Sequence, residues 1–169
     1  MLKSSGAEVK LGEIVTSSDV IDFDEVIIAT GVSPRDPKIK GHEKNNVVSY
    51  VEVLNGTGQI GQKVAVIGAG GIGFDVSEYL VHENKSDNKQ IEIPKWMKEW
   101  GVGDPNKTPG GLAESGPKPE AAVRQVTLMQ RKKQKLGRNL GKTTGWIHRS
   151  ALKMKNVQTV SYTHLTLPT

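Results

Sequence analysis

The residues with the clearest chemical potential are the glycines of Gly68-Ala69-Gly70-Gly71-Ile72-Gly73. They follow the apolar run Val64-Ala65-Val66-Ile67 and precede Phe74-Asp75-Val76-Ser77-Glu78-Tyr79-Leu80, which places them between a buried strand and a helix. In that context each glycine has a distinct task. Gly68 permits a tight turn, Gly70 lets a diphosphate approach the main chain, and Gly73 lets the helix pack closely on its strand. The N–H groups and the dipole at the helix start then attract the anion. The competing reading is a turn whose glycines serve packing alone.

The nucleotide would be selected at the end of the next strand, predicted over Val126–Gln130. An acid there would hydrogen-bond a ribose 2′-hydroxyl, but the strand ends in Gln130-Arg131-Lys132. Arg131 and Lys132 would attract a 2′-phosphate, so the spacing points to NADPH over NADH, with Arg131 as the bidentate partner and Lys132 as a point charge. An exposed basic loop without a ligand is the bland alternative. Gly137-Arg138-Asn139-Leu140-Gly141-Lys142-Thr143 imitates a nucleotide-hydrolysing phosphate loop but has three residues between its glycines where four are required. Residues 131–142 hold six basic side chains and no aromatic, which argues against nucleic acid as the partner. His148 lies between Ile147 and Arg149 with no carboxylate close in sequence and is read as a structural or surface residue. His42, His82 and His164 share no ligand spacing, so no metal site is expected. No side chain reads as a catalytic acid, base or nucleophile.

The elements that must position these groups follow from hydropathy and punctuation. Residues 7–11 and 13–16 alternate weakly, as exposed strands do, and residues 17–19 suggest a turn or a short helical start. Phe23 to Gly31 ends in Val-Ile-Ile-Ala-Thr-Gly and is predicted to be a short buried strand, with 33–37 an extended connection carrying two prolines. A glycine-rich joint at 55–61 separates a short segment, 47–54, from the strand beginning near Lys63. The helix after the glycine turn is expected to pack Ile72, Val76, Tyr79 and Leu80. Residues 83–122 read as an insertion in which Trp96, Met97 and Trp100 seek packing. A strand at 123–130, the basic loop and a helix from about Thr144 to Lys155, capped by threonine, complete the unit.

Composition narrows the remaining classes. The 169 residues hold no cysteine, which excludes disulfides, thiolate metal sites and a dithiol relay within the chain. The formal charge is +5, yet residues 121–169 carry ten basic residues and no acid. That block calls for an anion. No apolar run approaches membrane-spanning length and no secretory start is apparent, so a cytoplasmic location without a membrane partner is expected.

Phe23-Asp24-Glu25-Val26-Ile27-Ile28-Ala29-Thr30-Gly31-Val32-Ser33-Pro34-Arg35 resembles the stretch by which two-dinucleotide flavoproteins leave the FAD domain for the NADPH domain. Val64 to Asp75, together with Leu140-Gly141-Lys142-Thr143-Thr144-Gly145-Trp146-Ile147-His148-Arg149, is similar to the bacterial NADPH-dependent 2,4-dienoyl-CoA reductases. The similarity runs from about Met1 to Val160. It implies an α/β, Rossmann-like FAD/NAD(P)-binding fold that is incomplete here, with a partial FAD domain over 1–55 and a partial NADPH domain over 61–160. It further implies that Ala29, Thr30 and Gly31 lie near FAD and that Gly68, Gly70, Gly71 and Gly73 hold the NADPH diphosphate.

In that family FMN and a 4Fe–4S cluster belong to the remainder of the parent flavoenzyme, which is the expected partner. The isolated piece is expected to be inactive, and residues 161–169 depart from the family's pattern and are expected to be a non-native tail. A non-catalytic nucleotide-binding or interaction module using 131–142, and a related enone or amine flavin oxidoreductase, remain the alternatives.

Overall fold

The computed structural model describes residues 2–82 and 93–161. The expectations for residues 83–92 of the insertion, for His164 and for 162–169 of the tail lie outside the described residues. The chain divides into two compact units, Met1–Pro37 and Lys38–Thr169.

The first unit has short 3-10 turns at Leu2–Ser5 and Ser17–Val20. The second of these turns is locked locally: Asp19 Oδ2 accepts from the Thr16 amide at 2.8 Å and from the Thr16 hydroxyl at 2.6 Å. The hydroxyl bond, then the amide bond, hold the Asp19 carboxyl below its ordinary 3.8. The buried strand expected at 23–31 is not formed. Ile27 and Ile28 are 90% and 83% exposed, and the segment has no ladder partner among the described residues. The weak strands expected at 7–11 and 13–16 are likewise irregular and exposed. A β-strand exists only through a neighbour that takes its N–H and C=O groups, and no described part of this unit supplies one.

In the second unit, helix α1 (Tyr50–Leu54) precedes strand β1 (Lys63–Ile67), helix α2 (Gly71–Val81) and helix α3 (Ile93–Trp100). Strand β2 (Gln125–Gln130), helix α4 (Gly145–Met154) and strand β3 (Gln158–Ser161) follow. The strands form a parallel sheet in the order β1-β2-β3, with Ile67 opposite Met129 and Met129 opposite Val160. Central β2 supplies the buried side chains of the sheet, Val126 and Leu128. Edge strand β1 only half-buries Val64 and Val66, because a flanking position covers it less completely.

Helix α2 covers the sheet with Phe74, Val76, Leu80 and Val81, and its buried Ser77 donates to the Gly73 carbonyl at 2.6 Å. Periodicity predicts Ile72 on the packed side, but it is 53% exposed, and Tyr79 is half-buried. Contact at Gly73 sets the rotation of the helix, and at ~100° per residue Ile72 is turned off that face. Val53 of α1 and Leu152 of α4 complete the core with Val157.

Two more expectations are corrected. Thr144 does not cap α4 through its side chain, because its backbone (φ −111°, ψ −17°) is already helical while a capping residue is extended. The preceding turn instead winds directly into the helix, with Gly145 N donating to Gly141 O at 2.7 Å. In the insertion, Trp100 is half-buried, but Trp96 is 44% exposed, its ring centroid 6.3 Å from that of Trp100. What anchors α3 is polar: Glu99 Oε1 lies 2.6 Å from Nζ of buried Lys155, which also donates to Glu120 O at 3.1 Å.

Candidate dinucleotide site

The glycine turn begins where β1 ends. Gly68 N donates to Met129 O at 2.8 Å, and the Gly68 φ of +115° lies where a side chain would be strained. Gly70 starts α2 in an extended conformation and has no side chain to occupy the amides ahead of it. The helical ladder begins with Phe74 N to Gly70 O at 3.2 Å, so the amides of Gly71, Ile72 and Gly73 have no intrahelical acceptor. The first turn carries no acid to compete for them.

The four glycines separate by cause. A Cβ on Gly73 would stand 1.8 Å from the Gly68 carbonyl oxygen and 3.4 Å from Leu128 Cδ1, a main-chain collision that packing alone forbids. A Cβ on Gly70 or Gly71 would meet nothing within 4 Å, and neither residue has a positive φ. Backbone conformation and packing therefore account for Gly68 and Gly73 and leave Gly70 and Gly71 unexplained. Open space over uncapped amides at a helix N-terminus is chemically suited to a phosphate.

Arg131 and Lys132 follow β2 directly and are exposed. Because β1 and β2 are parallel with Ile67 opposite Met129, the glycine turn and this basic pair emerge at the same carboxyl edge of the sheet. In open α/β sheets that edge is where ligands sit. The loop behind the pair is held at two points. Gln130 Nε2 donates to Lys132 O at 3.1 Å and also to Gln134 O. Farther along, Arg149 Nη1 donates to Gly137 O at 3.3 Å. Buried Gly137 lies under Phe74, where a Cβ would stand 2.8 Å from the ring. Sequence reasoning misses both Gln130 and Arg149, since they act through backbone carbonyls that spacing does not reveal.

Ala29, Thr30 and Gly31 belong to the first unit and are exposed. Gly31 has φ +76°, and a Cβ there would meet nothing within 4 Å. Within that unit the described residues do not enclose these three. His148, in contrast, gains partners that its sequence neighbourhood lacks. Its Nδ1 lies 3.6 Å from Glu78 Oε2 and 4.0 Å from Asp75 Oδ1. These carboxylates stand one and two turns into α2, so the half-buried imidazole joins α2 to α4 away from the glycine turn. Among the described residues no cluster of His, Asp and Glu could hold a metal, and no helix is long and apolar enough to cross a membrane.

A parallel strand-turn-helix-strand arrangement with a glycine turn at its carboxyl edge defines a dinucleotide-type α/β protein. Residues 2–166 match the pyridine nucleotide-disulphide oxidoreductase family, and the chain belongs to that family, whose members bind FAD and NAD(P)H. It is 37% identical over 87 residues to cinnamate reductase of Clostridium sporogenes, covering 50% of this chain and 13% of the relative. It is 34% identical over 88 residues to NADH oxidase of Thermoanaerobacter brockii, covering 48% and 14%. A metal reductase of Desulforamulus reducens is 31% identical over 71 residues, or 42% and 11%. Among solved structures, a 2-naphthoyl-CoA reductase in complex with 2-naphthoyl-CoA matches with a TM-score of 0.57 at 18% identity, covering 95% of this chain and 19% of that one. The chain thus spans less than a fifth of each of these proteins, and the last match speaks to fold alone.

Proposed function

We propose that this chain is the NADPH-holding part of a flavin-dependent oxidoreductase whose parent reduces 2,4-dienoyl-CoA in fatty acid β-oxidation. The carrying observation is the pairing of an open, uncapped glycine turn with a strand end that offers Arg131 and Lys132 and no carboxylate. In this reading the amides after Gly70 hold the diphosphate, and Arg131 and Lys132 neutralise a 2′-phosphate. When bound, the reduced nicotinamide supplies a hydride and FAD accepts it; this chain contributes orientation and electrostatics. FMN and a 4Fe–4S cluster, if the parent carries them, belong outside this cysteine-free chain.

Calorimetric titration of the full chain with NADPH and NADH tests the nucleotide assignment. Losing charge-assisted contacts worth about 1.5–3 kcal/mol should make Arg131→Gln/Lys132→Gln bind NADPH at least about tenfold more weakly, with NADH within about twofold. Equal affinity of the unaltered chain for both nucleotides would overturn it. Tight binding of RNA at physiological salt would instead favour an interaction module built on residues 131–142.

A second reading keeps the nucleotide and changes the acceptor. The name of cinnamate reductase favours a conjugated aromatic acid as the substrate. With the parent reading frame restored, NADPH oxidation driven by a dienoyl thioester, and not by cinnamate, is the result expected of the first reading.

A further inference from the structure

We infer that Gln130 is a positioning residue that sets nucleotide selectivity by holding the backbone from which Arg131 and Lys132 project. The inference rests on the proposed NADPH reading and extends it to a residue that need not touch the nucleotide.

Gln130 is the last residue of β2, so its main chain is fixed by the central strand of the sheet. Its half-buried side chain turns back along the loop, and one amide nitrogen serves two carbonyls, Lys132 O and Gln134 O. Gln134 N in turn donates to Lys132 O at 3.0 Å, closing a small turn around the amide. Three consecutive cations, Arg131, Lys132 and Lys133, are carried on that turn. Like charges on adjacent residues repel, and a loop without a tether would spread them. The carboxamide draws the carbonyls inward, which leaves the two side chains ahead of Lys133 to face outward at the sheet edge.

The tether needs a side chain that can donate twice. Two carbonyl acceptors require a donor with two hydrogens, which the Gln side chain has and which a carboxylate lacks. Glutamate at this position would repel both carbonyls. It would also place a negative charge where a 2′-phosphate is proposed to bind and where a ribose hydroxyl would welcome it. One atom exchange is thus expected to remove the tether and invert the preference. Methionine, of similar length and without a donor, removes the tether alone.

The test uses the full chain with Gln130→Met, Gln130→Glu, Arg131→Gln/Lys132→Gln and the triple variant combining Gln130→Met with the pair. Gln130→Met should lower NADPH affinity about fivefold to tenfold, leave NADH within about twofold, and add nothing further in the triple variant, because the two changes remove one interaction. Gln130→Glu should reverse the order of the two nucleotides. Without nucleotide, trypsin should cut after Arg131, Lys132 or Lys133 several-fold faster in Gln130→Met than in the unaltered chain.

An unchanged NADPH-to-NADH ratio in Gln130→Met, while the Arg131/Lys132 pair lowers that ratio, overturns the positioning role and leaves the NADPH reading standing. A ratio unmoved by the pair itself overturns the NADPH reading. Unchanged tryptic cutting overturns the tether irrespective of nucleotide binding.

Discussion

Two apolar runs in this chain look alike and end differently. Val26-Ile27-Ile28-Ala29-Thr30 before Gly31 and Val64-Ala65-Val66-Ile67 before Gly68 are both short, both rich in β-branched residues, and both stopped by a glycine of positive φ, +76° at Gly31 and +115° at Gly68. Only the second is a strand. Its backbone is paired residue by residue with β2 from Lys63 to Ile67, and α2 folds back over it. The first run has no ladder among the described residues and leaves Ile27 and Ile28 exposed. Intrinsic preference and hydropathy nominate a strand; a partner makes it one.

The largest effect that could break this comparison is at Gly73. Adding a methyl there drives a Cβ to 1.8 Å from the carbonyl oxygen of Gly68, and neither main chain has room to retreat without parting α2 from β1. Gly73→Ala should therefore cost about 3 kcal/mol or more, the upper range for overpacking, read as a lowered urea midpoint. Gly31→Ala meets open space and carries only the left-handed penalty of roughly 1–2 kcal/mol, confined to the first unit. Comparable losses at the two glycines would mean that Gly31 also lies in a packed turn.

The same contrast is sharpened by truncating side chains. Leu128 is fully buried at the centre of the sheet, and Leu128→Ala should destabilise by about 2–5 kcal/mol. Ile28→Ala removes a side chain that is already 83% exposed and should stay within about 0.5 kcal/mol. Denaturant unfolding followed by Trp fluorescence would compare them directly. A large loss from Ile28→Ala would assign that run a buried partner.

Legibility in the sequence follows the same division. The stretch from Lys63 through α2 can be read from residue types because local signals and tertiary contacts agree there: a short apolar run, glycines of unequal purpose, then an amphipathic helix. Even so, periodicity puts Ile72 on the covered face and the structure exposes it, because a glycine-to-backbone contact, invisible to hydropathy, rotates α2. A Thr144 cap is the wrong expectation because side-chain type is visible in a sequence and ψ is not. Gln130, Arg149 and the pairing of His148 with Asp75 and Glu78 all depend on atoms far apart in sequence or on carbonyls common to every residue. The placement of the basic pair is legible for the opposite reason, as charge type is read from the residues and the end of β2 from hydropathy.

The smallest expected effect concerns what the two units share. Each has a local acid-hydroxyl clasp: Asp19 with Thr16 in the first unit, Glu52 with Ser49 at the start of α1 in the second. Glu52 Oε2 accepts from the Ser49 amide and hydroxyl, each at 2.7 Å, and these bonds, the amide first, hold its carboxyl below the ordinary 4.5. A folded-state value below the unfolded one means that the unfolded chain binds the proton more readily. The clasp's contribution is therefore complete above the ordinary value and is lost as pH falls through the lowered one. Carboxyl titration by NMR should show Ser49→Ala moving Glu52 back toward 4.5 and Thr16→Val moving Asp19 back toward 3.8. Both shifts should appear even though the described sheet lies wholly in the second unit, because a clasp spanning three residues needs no distant partner. If Asp19 failed to move while Glu52 did, the turn at Ser17–Val20 would depend on tertiary support, and the difference between the units would reach down to their local structure.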